Sequence, residues 1–191
     1  MKISDLRYQQ MATTKEFQHY DMREIAISKK VKLPSILHDA VIAPIWDLAT
    51  GEGKGVEQFV KENINAFNED GYIKDYSKLK LTTGDLYMPN QILLEEDPVA
   101  GGINFFIDAD VYNKTLMKND PERKLDRLCY VLIQDGEIYS SIYDETTRDT
   151  NGHYLKHPID NPKNMHVFVF FCDQEMKRFS PAEYQMMFEE E

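Results

Sequence analysis

Residues 165–172 read Met-His-Val-Phe-Val-Phe-Phe-Cys (MHVFVFFC), and what covers the two sides of this stretch decides the fold. In a β-strand successive side chains point to opposite faces. Val167, Val169 and Phe171 therefore line one side, and Phe168, Phe170 and Cys172 line the other. Neither face is wettable, so this strand is expected to be central, with one face in a core. The second face needs either helices from elsewhere in the chain or a neighbouring subunit. In the second case Phe168 and Phe170 are the anchors of a subunit interface; in the first they are ordinary core.

Working backwards from this strand, LCYVLIQDGEIYSSIY places Asp135-Gly136 between two apolar runs. That pair is the strongest short hairpin signal and predicts a type I′ turn. Further strands are predicted at 91–94, 102–107, 127–133, 137–143 and 152–156. KLKLTTGDLYM, from Lys78 to Met88, alternates Leu79 and Leu81 with Lys78 and Lys80 and breaks at Thr83-Gly84-Asp85, as a strand bending through a turn or bulge does. About seven short strands separated by turn signals indicate a β-sandwich.

The N-terminal part reads differently. In VEQFVKENINAFNEDG, Val56, Phe59, Val60, Ile64 and Phe67 recur every three or four residues, predicting a helix that stops at Gly71. An earlier helical pattern runs from Pro34 through SILHDAVIAPIWDLA, with a kink or break expected at Pro44. Residues 1–33 read as an arm: REIAISKKVKL suggests a short strand through Ile25 and Ile27, extending to Val31 and Leu33, while residues 1 to about 22 have no sustained period and carry Ile3, Leu6, Tyr8, Met11 and Phe17 as isolated apolar residues. Such a segment cannot bury enough surface alone to offset its ordering entropy, so an arm that orders on a neighbour is expected, with Ile3, Leu6, Tyr8 and Phe17 as contact residues. The expected organisation is mainly β with N-terminal helices (α+β): an arm over 1–33, a helical segment over 34–70, and a β-sandwich-like domain over 71–191.

A chain of 191 residues buries roughly 70 % of its unfolded surface, enough for a core without staples. The two cysteines, Cys129 and Cys172, lie in apolar runs and are expected as buried free thiols, which suits a reducing cytosol. MKISDLRYQQMATTKE has no apolar stretch of signal-peptide length, and no window approaches the roughly 18 apolar residues of a membrane span. With 33 acidic and 22 basic side chains the formal net charge is −11, which repels phosphate backbones and argues against direct nucleic-acid binding.

Several short patterns invite a chemical reading. GEGKG lacks the spacer, the following Ser or Thr and the preceding strand of a phosphate loop, and reads as an interhelical hinge. Asp108 and Asp110 in IDAD share one face of a strand and could hold a divalent ion, but no third carboxylate stands at fixed spacing, which favours a solvated strand end. His153 and His157 fall in strand-like sequence, where four residues separate side chains by about 13 Å, too far for one metal. His166 reads as a satisfied strand-end residue, and neither cysteine has a histidine and an acid close in sequence. No cofactor is implied.

Taken in order, INAFN, IKDYSKLKLTTGDL, INFFIDAD, a later Arg148 and MHVFVFFCDQEMKRFSPAEYQM resemble an uncharacterised protein family of Bacteroidetes bacteria and crAss-like phages. Its members carry I-x-x-DYS-x-L-x-x-S-x-G-x-L after a helix and end in VHV-x-x-x-F followed by SxSxY. Asp75, Tyr76, Ser77, Leu79, Gly84 and Leu86 match the first pattern, with Thr82 or Thr83 where serine is usual. His166, Val167, Phe171, Ser180 and Tyr184 match the second; Pro181 and Ala182 depart from it, and the arm lacks the family's glycine-rich opening. The likeness spans roughly residues 34–187. It implies a β-rich fold and a phage origin and supplies no catalytic residues.

The function expected from these readings is a non-enzymatic structural component of a virion, either a capsid auxiliary protein or a portal-proximal ring or collar subunit. It would assemble in the host cytoplasm with other virion proteins and copies of itself. Two alternatives stand beside it: a small β-sandwich binding or adaptor module of the bacterial cytoplasm, and a metal-dependent enzyme built on Asp108, Asp110 and a histidine.

Overall fold

The computed structural model describes residues 45–48, 54–88, 92–97, 99, 102–107, 118–148, 154–159 and 163–189. The chain divides into two compact units, Met1–Lys80 and Leu81–Glu191.

In the first unit residues 45–48 are helical, with Ile45 and Trp46 buried. Helix α1 (Gly55–Asn63) follows and buries Phe59 and Val60. The Trp46 and Phe59 rings meet edge to face at 5.3 Å, and Phe59 meets Phe67 at 6.4 Å. The helix ends well before Gly71, where the apolar period had placed its stop, and one 3-10 turn (Ile64–Ala66) completes it. The buried Asn63 side chain explains the early end. Its Nδ2 donates to the carbonyls of Phe59 (2.9 Å) and Lys80 (3.1 Å), and its Oδ1 accepts from the Lys80 N–H (2.6 Å). An asparagine committed to another segment's backbone competes with helix continuation. Gly71 instead belongs to a turn in which Asn68 Oδ1 accepts from the N–H groups of Asp70 and Tyr72.

Among the described residues the second unit holds seven strands: β1 (Ile92–Asp97), β2 (Gly102–Ile107), β3 (Arg127–Gln134), β4 (Glu137–Thr147), β5 (Tyr154–Pro158), β6 (Met165–Cys172) and β7 (Glu183–Met187). They form a three-stranded sheet ordered β1-β2-β5 and a four-stranded sheet ordered β4-β3-β6-β7, and every pairing is antiparallel. The fold is therefore mainly β with a few short helices, as the period-two patterns indicate. The β3–β4 hairpin closes at Asp135 (φ 52°) and Gly136 (φ 82°), the two positive values a type I′ turn requires.

Side chains of both sheets meet in one cluster. Ile92, Ile103 and Phe105 from the smaller sheet join Leu128, Tyr130, Leu132, Met165, Val167, Val169, Phe171 and Met187 from the larger. The Phe105 and Tyr130 rings lie 4.7 Å apart within it. Each large apolar side chain so buried contributes about 1.5–3 kcal/mol relative to an exposed one, which makes this cluster the main support of the unit. The opposite face of β3 and β6 is equally dry. Cys129, Val131, Ile133, Phe168, Phe170 and Cys172 all have 0 % exposure.

One expected strand is absent. Residues 79–88 join neither sheet, although their alternation is real: Leu79, Leu81 and Leu86 are buried and Lys80 is exposed. The segment is held instead by single contacts of Thr82 and Leu86 to the residues before β7, for the reason given below. Two further differences are one of length and one strand that was not expected. Strand β1 runs on through Glu95, Glu96 and Asp97 because an edge strand tolerates charge, and β7 forms from a largely polar sequence by pairing with β6.

Candidate functional site

Three side-chain arrangements in the second unit bring together residues distant in sequence. The first joins TTGDL to the segment after β6. Thr82 Oγ1 donates to the Ser180 carbonyl at 2.8 Å, a contact spanning 98 residues. The Leu86 N–H donates to the Phe179 carbonyl at 3.0 Å. Between them Gly84 passes so close that a Cβ would stand 2.0 Å from the Phe179 carbonyl oxygen. No side chain fits there, which is why this segment crosses instead of pairing as a strand. Ser180 anchors the other end: its Oγ accepts from the Phe171 N–H (2.8 Å), and its own N–H donates to the Phe171 carbonyl (2.9 Å).

The second arrangement crosses β6 and β7. His166 Nδ1 and the Tyr184 hydroxyl are hydrogen-bonded at 3.0 Å, with the rings stacked at 5.9 Å. Phe168 packs on the same tyrosine at 5.1 Å, and Phe170 lies 6.5 Å from Phe179. Partial burial holds the His166 imidazole below its ordinary range, favouring the neutral ring.

The third is a buried ion cluster where β4 ends and β3 begins. Arg148 Nη2 lies 3.2 Å from Asp126 Oδ2, both side chains sealed from solvent, and Arg123 Nη1 lies 3.1 Å from Asp126 Oδ1. Arg148 Nη1 donates to the Tyr87 carbonyl at 2.6 Å, and its guanidinium carbon stands 4.1 Å from the centre of the Phe171 ring. The Arg148 N–H donates to the Asp126 carbonyl, so backbone and side chain bind the same residue. The carboxylate oxygens of Asp126 make charge contacts without hydrogen-bond alignment. Burial pushes the Asp126 carboxyl up, with the two arginines opposing it, and pushes the Arg148 guanidinium down. Arg148 is enclosed by protein on every side, so the cluster acts as a tether, not as a reaction site.

The residues singled out in the sequence fall as follows. Phe168 and Phe170 are buried in the isolated chain, Phe168 against Tyr184 and Phe170 against Phe179. Cys129 and Cys172 are free and buried, as expected. Ile3, Leu6, Tyr8 and Phe17, the divalent-ion candidates Asp108 and Asp110, and His153 lie outside the described residues, as does the side chain of His157. Among the described residues no three His, Cys, Asp or Glu side chains converge in a metal-binding group, and no helix is long and apolar enough to cross a membrane. The role of Asp126 and Arg123 is not encoded in a local sequence pattern. The only pointer was a charged pair flanking an apolar strand, a feature too common to single out.

No protein-family model, curated protein or solved structure matches this chain.

Proposed function

We propose that this chain is a non-enzymatic structural component of a bacteriophage particle, a capsid auxiliary protein or a portal-proximal ring or collar subunit. It would assemble in the host cytoplasm with other virion proteins and with copies of itself. The resemblance to the crAss-like phage family supports this reading, and one structural observation carries it further. The residues that carry the resemblance hold the β-unit together: Gly84 against Phe179, Leu86 bonded to Phe179, Ser180 bonded to Phe171, and His166 bonded to Tyr184. Asp75 and Ser77 likewise bond each other, Ser77 Oγ donating to Asp75 Oδ1 at 2.6 Å. A pattern whose polar groups are engaged in internal contacts favours a framework-building chain over one that presents reactive groups to a substrate.

A framework acts through its surface, and assembly needs exposed apolar anchors. Leu93 on edge strand β1 (47 % exposed) and Val99 just beyond it (96 %) are suited to that role. Size-exclusion chromatography with light scattering tests the proposal. A multimer that dissociates in the L93D/V99D variant is expected. A monomer at every concentration contradicts self-assembly and favours the adaptor module. A monomer that binds a divalent metal and turns over a substrate only while Asp108 is intact would replace the proposal with the metal-dependent enzyme.

A further inference from the structure

The two cysteines are 43 residues apart in sequence, yet their sulfur atoms lie 3.4 Å apart, with the Cys129 S–H directed at Cys172. Their strands are adjacent but the residues are not directly opposite: Cys129 faces Phe170, and Cys172 faces Arg127. Diagonal neighbours in a regular antiparallel pair stand about 7 Å apart, so sulfur contact across this diagonal needs both side chains turned toward each other. The pairing of β3 with β4 shifts register between Arg127 and Cys129, an irregularity of the kind that re-aims a side chain. A disulfide bond is about 2.05 Å long and needs a Cα separation below about 6.8 Å, so bonding takes a sulfur approach of about 1.4 Å together with a small closing of the strands at this diagonal.

We infer that Cys129 and Cys172 form an oxidisable dithiol, a site at which a low-molecular-weight disulfide is reduced and an intrachain Cys129–Cys172 disulfide is formed, with Cys172 attacking first. The order follows from position. Cys172 is the last residue of β6 and adjoins the turn at 173–178, in which Gln174 to Arg178 are exposed. Within the turn the bonds are Asp173 N–H to the Arg178 carbonyl, Met176 N–H to the Asp173 carbonyl, and Lys177 N–H to Asp173 Oδ1, and beyond it the turn is held by a bridge between Cys172 and Phe179 and by an Arg178–Asp85 ion pair that is exposed and so adds little. Segments of this kind open locally at low cost, and their opening exposes Cys172 before Cys129, which lies inside β3. The chemistry agrees with the position. The hydrogen bond from Cys129 holds the Cys172 thiol below its ordinary range, while burial pushes Cys129 up.

In the first step the Cys172 thiolate forms a bond to one sulfur of the small disulfide, whose S–S bond breaks and releases one small thiolate. In the second, the Cys129 thiolate attacks Cys172 Sγ and expels the other half. Two protein thiols lose two electrons, the small disulfide gains them, and the protons of Cys129 and Cys172 end on the two small thiols released.

Glutathione disulfide is the probe. The full-length chain is incubated with it in native buffer, quenched by alkylation, and read by intact mass and peptide mapping. The expected product loses both alkylation sites and yields a single cross-linked peptide joining Cys129 to Cys172. Under the same conditions C129S gains one glutathione at Cys172, whereas C172S remains unmodified. A wild-type chain that keeps both alkylatable thiols in native buffer, or that forms the bond only in denaturant, overturns the inference. Equal glutathione uptake by the two variants, with circular dichroism confirming that both fold, overturns the order of attack.

Discussion

Arg148 Nη2 stands 3.2 Å from Asp126 Oδ2 with neither side chain exposed, so the Arg148 charge depends on Asp126 in the interior, while Asp126 is held by Arg123 as well. Removing one partner of a buried pair costs about 3–5 kcal/mol, because the remaining charge is left uncompensated, whereas replacing both with apolar groups of similar volume costs far less. Asp126→Leu should therefore destabilise the chain strongly, and D126L/R148M should recover much of the loss. Urea denaturation of D126L, R148M and D126L/R148M checks this. Additive losses would show that the pair is not coupled.

Gly84→Ala should destabilise by about 1–3 kcal/mol, the usual range for overpacking, because the new methyl would meet the Phe179 carbonyl oxygen and force the 82–86 segment away. Thermal unfolding measures the loss directly. A neutral result would mean that the segment is free to move off the residues before β7.

Gly136→Val should cost on the order of 1 kcal/mol or more for a different reason. Gly136 has φ 82°, and a β-branched residue is strained in that region. Asp135→Asn in the same turn should be near neutral, since asparagine tolerates its φ of 52°. Chemical denaturation distinguishes the two. Equal effects at both positions would contradict the type I′ assignment.

His166 predicts a pH dependence. Partial burial depresses its folded pKa below the ordinary 6.5, so the unfolded chain binds more protons in that region. The stability from the neutral ring is thus fully present above pH 6.5 and is lost as pH falls through the folded value. Melting temperature should decline as the pH is lowered below 6.5 in the wild type and decline less in His166→Gln. Parallel profiles would assign the acid sensitivity to other groups.

What could be read from the sequence was what local patterns encode. Strand β6 was legible from its eight residues alone, and the β3–β4 hairpin from Asp135-Gly136, because side-chain alternation and a left-handed turn are properties of neighbouring residues. The alternation of Leu79 and Leu81 was legible in the same way, but not its outcome. Whether an extended segment enters a ladder depends on the partner beside it, and here that partner is the Phe179 carbonyl against Gly84. Asn63 ended α1 through a bond to Lys80, 17 residues on. The Arg148 tether, the Ser180 anchor and the contact between Cys129 and Cys172 all depend on strand pairing across long sequence separations, which no single window contains.

The proposal that this chain builds a phage particle is tested most directly by a quantitative mass-spectrometric inventory of purified phage particles from cells that produce it. The account predicts its peptides in the particles at a fixed copy number relative to the major capsid protein, retained after nuclease and high-salt washing. Its confinement to the particle-free lysate would contradict the account.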